Sequence, residues 1–231
     1  QVFLVIFFIT PTGIFILYIH VHMRIIIIML KYKTMNLAIR PMQLTDIKQV
    51  KEIEYQAFPT LETSRPFKHE LNNAIAKYII VYELDNDTDV ATDAKRDSML
   101  SRGIDSIRRL AFGPPPTKEN IVGFASVWFM AGEAHLVTIA VRQANRGFSI
   151  GEYLLSTVLD TAIESKAGFA TLEVRSSNQA AQALYQKYGF ARTGIRKGYY
   201  SDTKEDAIIM TTSNLNSGDY KSRFTQLKKQ L

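Results

Sequence analysis

The sequence predicts a single α/β domain, α+β in its mixture of strands and helices, with an appendage at each end. Three observations carry that expectation. From Met35 onward, runs with strand-like alternation and runs with a 3.6-residue apolar period succeed one another. The stretch "NRGFSIGEYLL" (145–155) sets an arginine and two glycines between a strand pattern and an amphipathic helix pattern. Finally, 231 residues, 46% of them hydrophobic and 22% charged, suffice to bury one core of ordinary size with chain left over.

The elements follow in order. "NLAIRPM" reads as a short strand and "LTDIKQVKEIEYQAF" as an amphipathic helix with Thr45 or Asp46 at its N-cap. "FKHELNNAIAKY" predicts a second helix and "YIIVYEL" a strand. Residues 85–118 are polar and end in "GPPPTKEN", whose three consecutive prolines exclude a helix or strand interior. They are expected to form an inserted surface loop, with a helical stretch around 99–110. "IVGFASVWFMAG" and "EAHLVTIAV" predict two strands joined in a hairpin at Gly132, and in the second His135, Val137, Ile139 and Val141 are expected in the core. A helix over 150–165, the strand "FATLEV", the helix "QAAQALYQKY" and the strands "RTGIRK" and "EDAIIMTT" complete the domain. The basic tail 213–231 is expected to be partly helical and peripheral.

The chain opens with "QVFLVIFFITPTGIFILYI" (1–19), uncharged and about as long as a bilayer core is thick. Arg24, Lys31 and Lys33 follow it as a cytoplasmic-side cluster would. Two readings of 1–34 stay open: a membrane anchor that leaves the domain on the cytoplasmic side, or a segment translated upstream of a start at Met35. Either reading places the domain in the cytoplasm. The absence of cysteine excludes disulfides, thiolate metal sites and a cysteine acyl-enzyme, and no metal site is expected. A formal charge of +6 points to a polyanionic ligand or partner.

A strand, a short glycine-bearing loop and a helix N-terminus together make an anion site, because unpaired backbone N–H groups and the positive end of the helix dipole converge there. Arg146 adds a charged donor, and Gly147 and Gly151 admit a ligand close to the backbone. Taken alone, such a turn is more often only a turn.

The run "VTIAVRQANRGFSIGEYLL", then "LEVRSSNQAAQALYQKYGF", then "GYYSDTKEDAIIM", resembles the GNAT superfamily of acetyl-CoA-dependent N-acetyltransferases. Within it, the similarity is to the bacterial ribosomal-protein-alanine and archaeal N-terminal acetyltransferases, and it covers residues 36–212. The resemblance implies a mixed, mostly antiparallel sheet, splayed at the acetyl-CoA site and flanked by helices. It gives the CoA pyrophosphate to Arg146, Gly147, Phe148, Ser149, Ile150 and Gly151, and the acetyl-pantetheine arm to backbone groups of Thr138, Ile139 and Ala140. Asn178, which by position is also a helix N-cap, reaches the same arm. Tyr185 becomes the proton donor to the departing thiolate and Glu173, in "LEVR", the general base. By residue type alone, Tyr185 would be packing and Glu173 solvent-facing. Tyr199 and Tyr200, with Phe58, Pro59 and Leu61 opposite, become the walls of the acceptor groove. Three departures stand out: Ser149 replaces the family's central loop glycine, "FPTLETSRPF" lacks its usual tryptophan, and the insertion 85–118 is longer than most members need.

The function implied is transfer of acetyl from acetyl-CoA to the N-terminal amine of a protein, an alanine of a ribosomal protein in particular, with no direct nucleic-acid binding. A small-molecule amine acetyltransferase and a non-catalytic CoA-binding or membrane-tethered adaptor are the alternatives. Retention of both Glu173 and Tyr185 argues against the adaptor.

Overall fold

The computed structural model describes residues 36–60, 65–84 and 119–231. The expectations for 1–34, for Leu61 and for the insertion 85–118 lie outside the described residues. Seven strands, β1 (Leu37–Pro41), β2 (Ala76–Glu83), β3 (Asn120–Met130), β4 (Glu133–Val141), β5 (Phe169–Arg175), β6 (Phe190–Tyr200) and β7 (Glu205–Thr212), form one sheet in the order β1-β2-β3-β4-β5-β7-β6. All neighbours are antiparallel except β4 and β5. The described helices are α1 (Ile47–Ala57), α2 (Phe67–Glu70), α3 (Ile150–Glu164), α4 (Gln179–Lys187) and α5 (Gly218–Lys228).

One side of the sheet is covered by α1, whose Val50 and Ile53, three residues apart on one helical face, are fully buried. They join Ile80, Ile121 and Phe124, and the Phe67 ring packs edge-on to Tyr78 at 5.8 Å and to Phe124 at 6.0 Å. Asp46, just ahead of α1, is buried because Arg40 grips both its oxygens, at 2.8 and 2.9 Å. The other side is covered by α3, which buries Leu154, Leu155, Val158, Leu159 and Ala162. This helix lies so close that a Cβ on Gly123 would stand 3.1 Å from Leu154 and 3.2 Å from Ile150, so any larger residue would push these side chains aside.

The structure departs from the sequence reading in the second helix, the sixth strand and the tail. The second helix stops at Glu70, and 76–78 belong to β2. Asn73 accepts the Ile75 amide with its own side chain, offering the backbone a turn in place of a helix, and Ala76 then pairs with Trp128. The strand at "RTGIRK" runs on to Tyr200. The tail is not peripheral: Leu215, Tyr220 and Phe224 are buried. The Tyr220 hydroxyl donates to the Tyr188 carbonyl at 3.0 Å, Phe224 meets the Tyr188 ring edge-on at 6.1 Å, and Lys228 pairs with Asp160 of α3 at 2.5 Å. Helix α5 therefore buttresses both α3 and the end of α4.

Phe224→Ala should lower unfolding free energy by about 3 kcal/mol, the usual cost of removing a buried aromatic ring. Urea denaturation measures it. A loss near zero would return the tail to the periphery.

Candidate active site

Strands β4 and β5 pair in parallel only from Glu133–Phe169 to Leu136–Leu172. Beyond that point they diverge. On its other edge β4 carries a bulge: Val127 faces Leu136 and Ser126 faces Thr138, leaving Val137 without an opposite residue. The residues after Leu136 thus present backbone groups to the gap that no neighbouring strand on that side takes up, and an amide-bearing chain could pair with them. The bulge also corrects the expected core of β4. The buried residues are Ala134, Leu136, Thr138 and Ala140, whereas His135, Val137, Ile139 and Val141 are half-buried. Ala140 joins the α1 side, and the one-residue shift at Val137 lets strand alternation serve opposite sides of the sheet before and after it.

A cleft of about 420 Å³ opens at the divergence, lined on β4 by Leu136, Val137, Thr138 and Ile139 and on β5 by Leu172, Glu173, Val174 and Arg175. Ala140 is not on its surface. The Thr138 hydroxyl is buried there and has no hydrogen-bond partner among the described residues. Asn178 and Tyr185 close one end. Asn178 caps α4, accepting the Ala181 amide at 3.2 Å, so the capping reading and the cleft position both hold. Tyr185 packs against Phe190 at 5.8 Å, and burial pushes its hydroxyl pKa up to about 12.

The loop from β4 to α3 is built as an anion cradle. Asn145, buried, anchors it by donating to Glu83 at 3.2 Å. Gly147 has φ of +82°, and Ser149 has φ of +53°, ψ of +11°, the left-handed region. That explains why glycine is the expected residue there: a side chain in this region costs about 1–2 kcal/mol. Ile150 sinks its side chain into the core while its backbone starts α3. A Cβ on Gly151 would meet only Val141, at 3.8 Å, so the protein itself leaves the space above the helix start open. Arg146 is exposed, makes long hydrogen bonds to the carbonyls of Val141 and Gln56, and forms no ion pair among the described residues. Half-buried Phe148 completes the turn.

Across the cleft, Phe58 and Thr60 face Tyr199, Tyr200 and Asp202. Pro59 is exposed and off the lining. The two tyrosine rings are perpendicular at 5.2 Å, and the Arg175 guanidinium stacks on Tyr200 at 4.0 Å while pairing with Asp202 at 2.7 Å. Thr60 hydrogen-bonds Asp202 and thereby ties the two walls together. Burial holds the Tyr200 hydroxyl at about 12.

Glu173 is not solvent-facing. Its side chain is 9% exposed, with Oε2 3.1 Å from His135 Nε2 and Oε1 3.2 Å from Arg196 Nη2. The hydrogen bond from His135 depresses its pKa, with the charges of His135 and Arg196 adding to the effect against burial. His135 is raised in turn, first by that hydrogen bond. Thr60, Arg175 and Asp202 line the cleft, and His135 and Arg196 hold Glu173, although the sequence marks none of them as site candidates. Arg175 and Asp202 stand inside "LEVR" and "YYSD"; for His135, register was the missing signal. Among the described residues no group of acidic or histidine side chains could hold a metal ion, and no helix is long and apolar enough to cross a membrane.

A seven-stranded sheet parted at a bulged β4, with a cradle at the following helix, is the architecture of acyl-CoA-dependent amine acetyltransferases. The profile of the Acetyltransferase (GNAT) family matches residues 78–190. A Bacillus subtilis (strain 168) protein provisionally named [ribosomal protein bS18]-alanine N-acetyltransferase is 33% identical over 174 residues, 75% of this chain and 93% of its own length. The crystal structure of the ribosomal-protein-S18-alanine N-acetyltransferase from Escherichia coli superposes with a TM-score of 0.56 at 23% identity, over 79% of this chain and 97% of that one. A GNAT acetyltransferase from Elizabethkingia anophelis with acetyl-CoA bound gives 0.52 at 19% identity, over 77% and 98%. The chain belongs to the GNAT acetyltransferase family and is an acetyl-CoA-dependent N-acetyltransferase. The residues present fit that co-substrate: the cradle at 146–151 suits the pyrophosphate, and the unpaired edge of β4 and the orphaned Thr138 hydroxyl suit the amide-bearing arm.

Ser149→Gly should relieve the left-handed strain, raising stability by up to about 1 kcal/mol and leaving acetyl-CoA binding equal or tighter. Gly151→Val should weaken binding by filling the space above the helix start. Thermal unfolding and calorimetric titration read both. Wild-type affinity in folded Gly151→Val would make the loop only a turn.

Proposed function

We propose that this enzyme acetylates the free α-amino group of a protein N-terminus, the acceptor being an N-terminal alanine of a ribosomal protein. The observation that carries the reading is the placement of Glu173 and Tyr185 on the wall of one cleft, at the point where β4 and β5 part. The name of the Bacillus subtilis relative supports the ribosomal acceptor. A groove walled by Phe58, Tyr199 and Tyr200, and bridged by Thr60 and Asp202, suits a slender peptide end with a small first side chain.

Acetyl-CoA supplies the acetyl group as a reactive thioester. Backbone N–H groups of 146–151 hold its pyrophosphate, while backbone groups of Thr138 and Ile139, with Asn178, align the arm so that the thioester faces the acceptor groove. An N–H of β4 beside the bulge is placed to donate to the thioester oxygen as charge develops on it. The acceptor amine has a pKa of about 7.7–8.0, so a minority is neutral at pH 7. Glu173, ionised at that pH, draws the ammonium form in and accepts its proton directly or through a water. Tyr185, whose hydroxyl stays protonated far above neutral pH, delivers a proton to the departing thiolate. No covalent enzyme intermediate is required.

Tyr185→Phe should lower turnover about 10²-fold, the scale of one positioned acid, with acetyl-CoA affinity nearly intact. Steady-state kinetics on an alanyl peptide, with chemistry shown to limit the rate, measures this; unchanged turnover removes Tyr185 from the mechanism. The Glu173→Gln deficit should shrink as pH rises through the amine pKa toward 9, because the solvent then supplies free amine. A deficit independent of pH would make Glu173 a positioning group. Comparing alanyl peptides with polyamines as acceptors tests the substrate class.

A further inference from the structure

We propose that His135 is a positioning residue for Glu173: as imidazolium it locks the carboxylate in an ion pair, and as neutral imidazole it frees the carboxylate to receive the acceptor's proton. The proposal rests on the reading of Glu173 as the base. It starts from register. In the parallel pairing His135 lies opposite Thr171, and Glu173 is two residues further along β5 on the same face. The two side chains therefore meet just where the strands begin to part, at 3.1 Å between Nε2 and Oε2.

The groups around the pair settle which of them changes charge near neutral pH. On β4, Glu133 stands 3.6 Å from the far ring nitrogen of His135. On β6, Arg196 holds the second oxygen of Glu173 at 3.2 Å, with its side chain 53% exposed, and Tyr200 lies on the same wall of the cleft. On β3, Trp128 is the uncharged residue opposite His135. Helix α4 contributes Tyr185 to the same cleft. Arg175 is occupied by Asp202 and Glu205, and Arg65 by Glu54. Arginine does not titrate and both tyrosines stay protonated, so His135 is the group in contact with Glu173 whose charge can switch while the carboxylate stays ionised.

The sign follows from the pairing. Two carboxylates beside His135 raise its pKa above the ordinary 6.5, and His135 lowers that of Glu173. Below the titration of the pair, Nε2–H and Nδ1–H are both present, the carboxylate faces two cations, and it is a weak acceptor. Above it, His135 keeps one proton on Nε2, still donated to Oε2, and loses its charge. Glu173 then becomes more basic. The acceptor ammonium gives its proton to a Glu173 oxygen and its freed lone pair attacks the thioester carbon; the C–N bond forms as the C–S bond breaks, the departing thiolate takes the Tyr185 proton, and the proton on Glu173 leaves through water. The titration belongs to the pair.

The test is the pH dependence of kcat between pH 5.5 and 9.5, with an alanyl peptide, in wild type, His135→Gln and Glu173→Gln. Glutamine keeps an N–H donor for Glu173 and cannot titrate. The rate of His135→Gln relative to wild type should fall about five- to tenfold between pH 6 and 8.5, the size set by a group titrating above 6.5. Wild-type NMR should place the His135 titration at that limb, and the titration should drop toward 6.5 in Glu173→Gln. A flat ratio with Glu173→Gln still impaired overturns the role of His135 and leaves the base reading standing. Full activity of Glu173→Gln at every pH overturns both. If His135→Gln fails to fold, a wild-type imidazole pKa at or below 6.5 overturns the proposal by itself.

Discussion

The parting of β4 from β5 is the constraint on which the rest depends. Two parallel strands that stay paired have no room between them and no backbone groups to offer. Here the ladder ends at Leu136 and Leu172, and the bulge at Val137 turns β4 away while keeping it bonded to β3 on its other edge. The candidate site is arranged around that opening. Helix α3 starts where β4 ends, so its N-terminus points along the gap; α4 starts where β5 ends, so Asn178 and Tyr185 flank it. A continuous sheet with the same side chains would have no cleft.

Charge in the cleft is organised in two clusters that do different things. Arg175, Asp202, Glu205 and the Tyr200 ring form a fixed assembly at the wall, joined through Thr60 to the opposite side. Such charge-assisted contacts hold aromatic rings at set angles, which is what a groove for a narrow chain end needs. The second cluster, Glu133, His135, Glu173 and Arg196, gathers where the strands part and contains an imidazole whose pKa its two carboxylate neighbours raise.

Local patterns were read from sequence well; pairings were not. The hairpin at Gly132, the run of α3 and the bounds of β7 follow from alternation, period and turn residues, and the structure has them. Position 149 was visible as a departure from a motif, and its left-handed backbone shows what the departure costs. The short α2 was misread because "NNAIAKY" suits a helix until β3 offers Ala76 a partner. The phase of β4 was misread because a bulge leaves no trace in composition. His135 looked like a strand residue for the same reason: its meaning comes from Glu173, which lies 38 positions on and meets it only through parallel register. The tail was misjudged because Tyr220 and Phe224 bury against Tyr188, a contact between distant segments.

The ends of β2 and β3 have a bearing on how this chain could be rebuilt. Glu83 and Asn120 are directly paired, with the Asn120 amide donating to Glu83 at 2.5 Å. The intervening segment thus departs from and returns to a single closed neck, and closure entropy grows only slowly with the length of chain attached to such a neck. A two-residue turn, or a reporter domain with adjacent termini, would fit across that neck between Leu84 and Glu119. Glu83 and Glu119 must both be kept in such a graft, since the other oxygen of Glu83 secures Asn145 at the start of the loop into α3 and Glu119 pairs with Arg40.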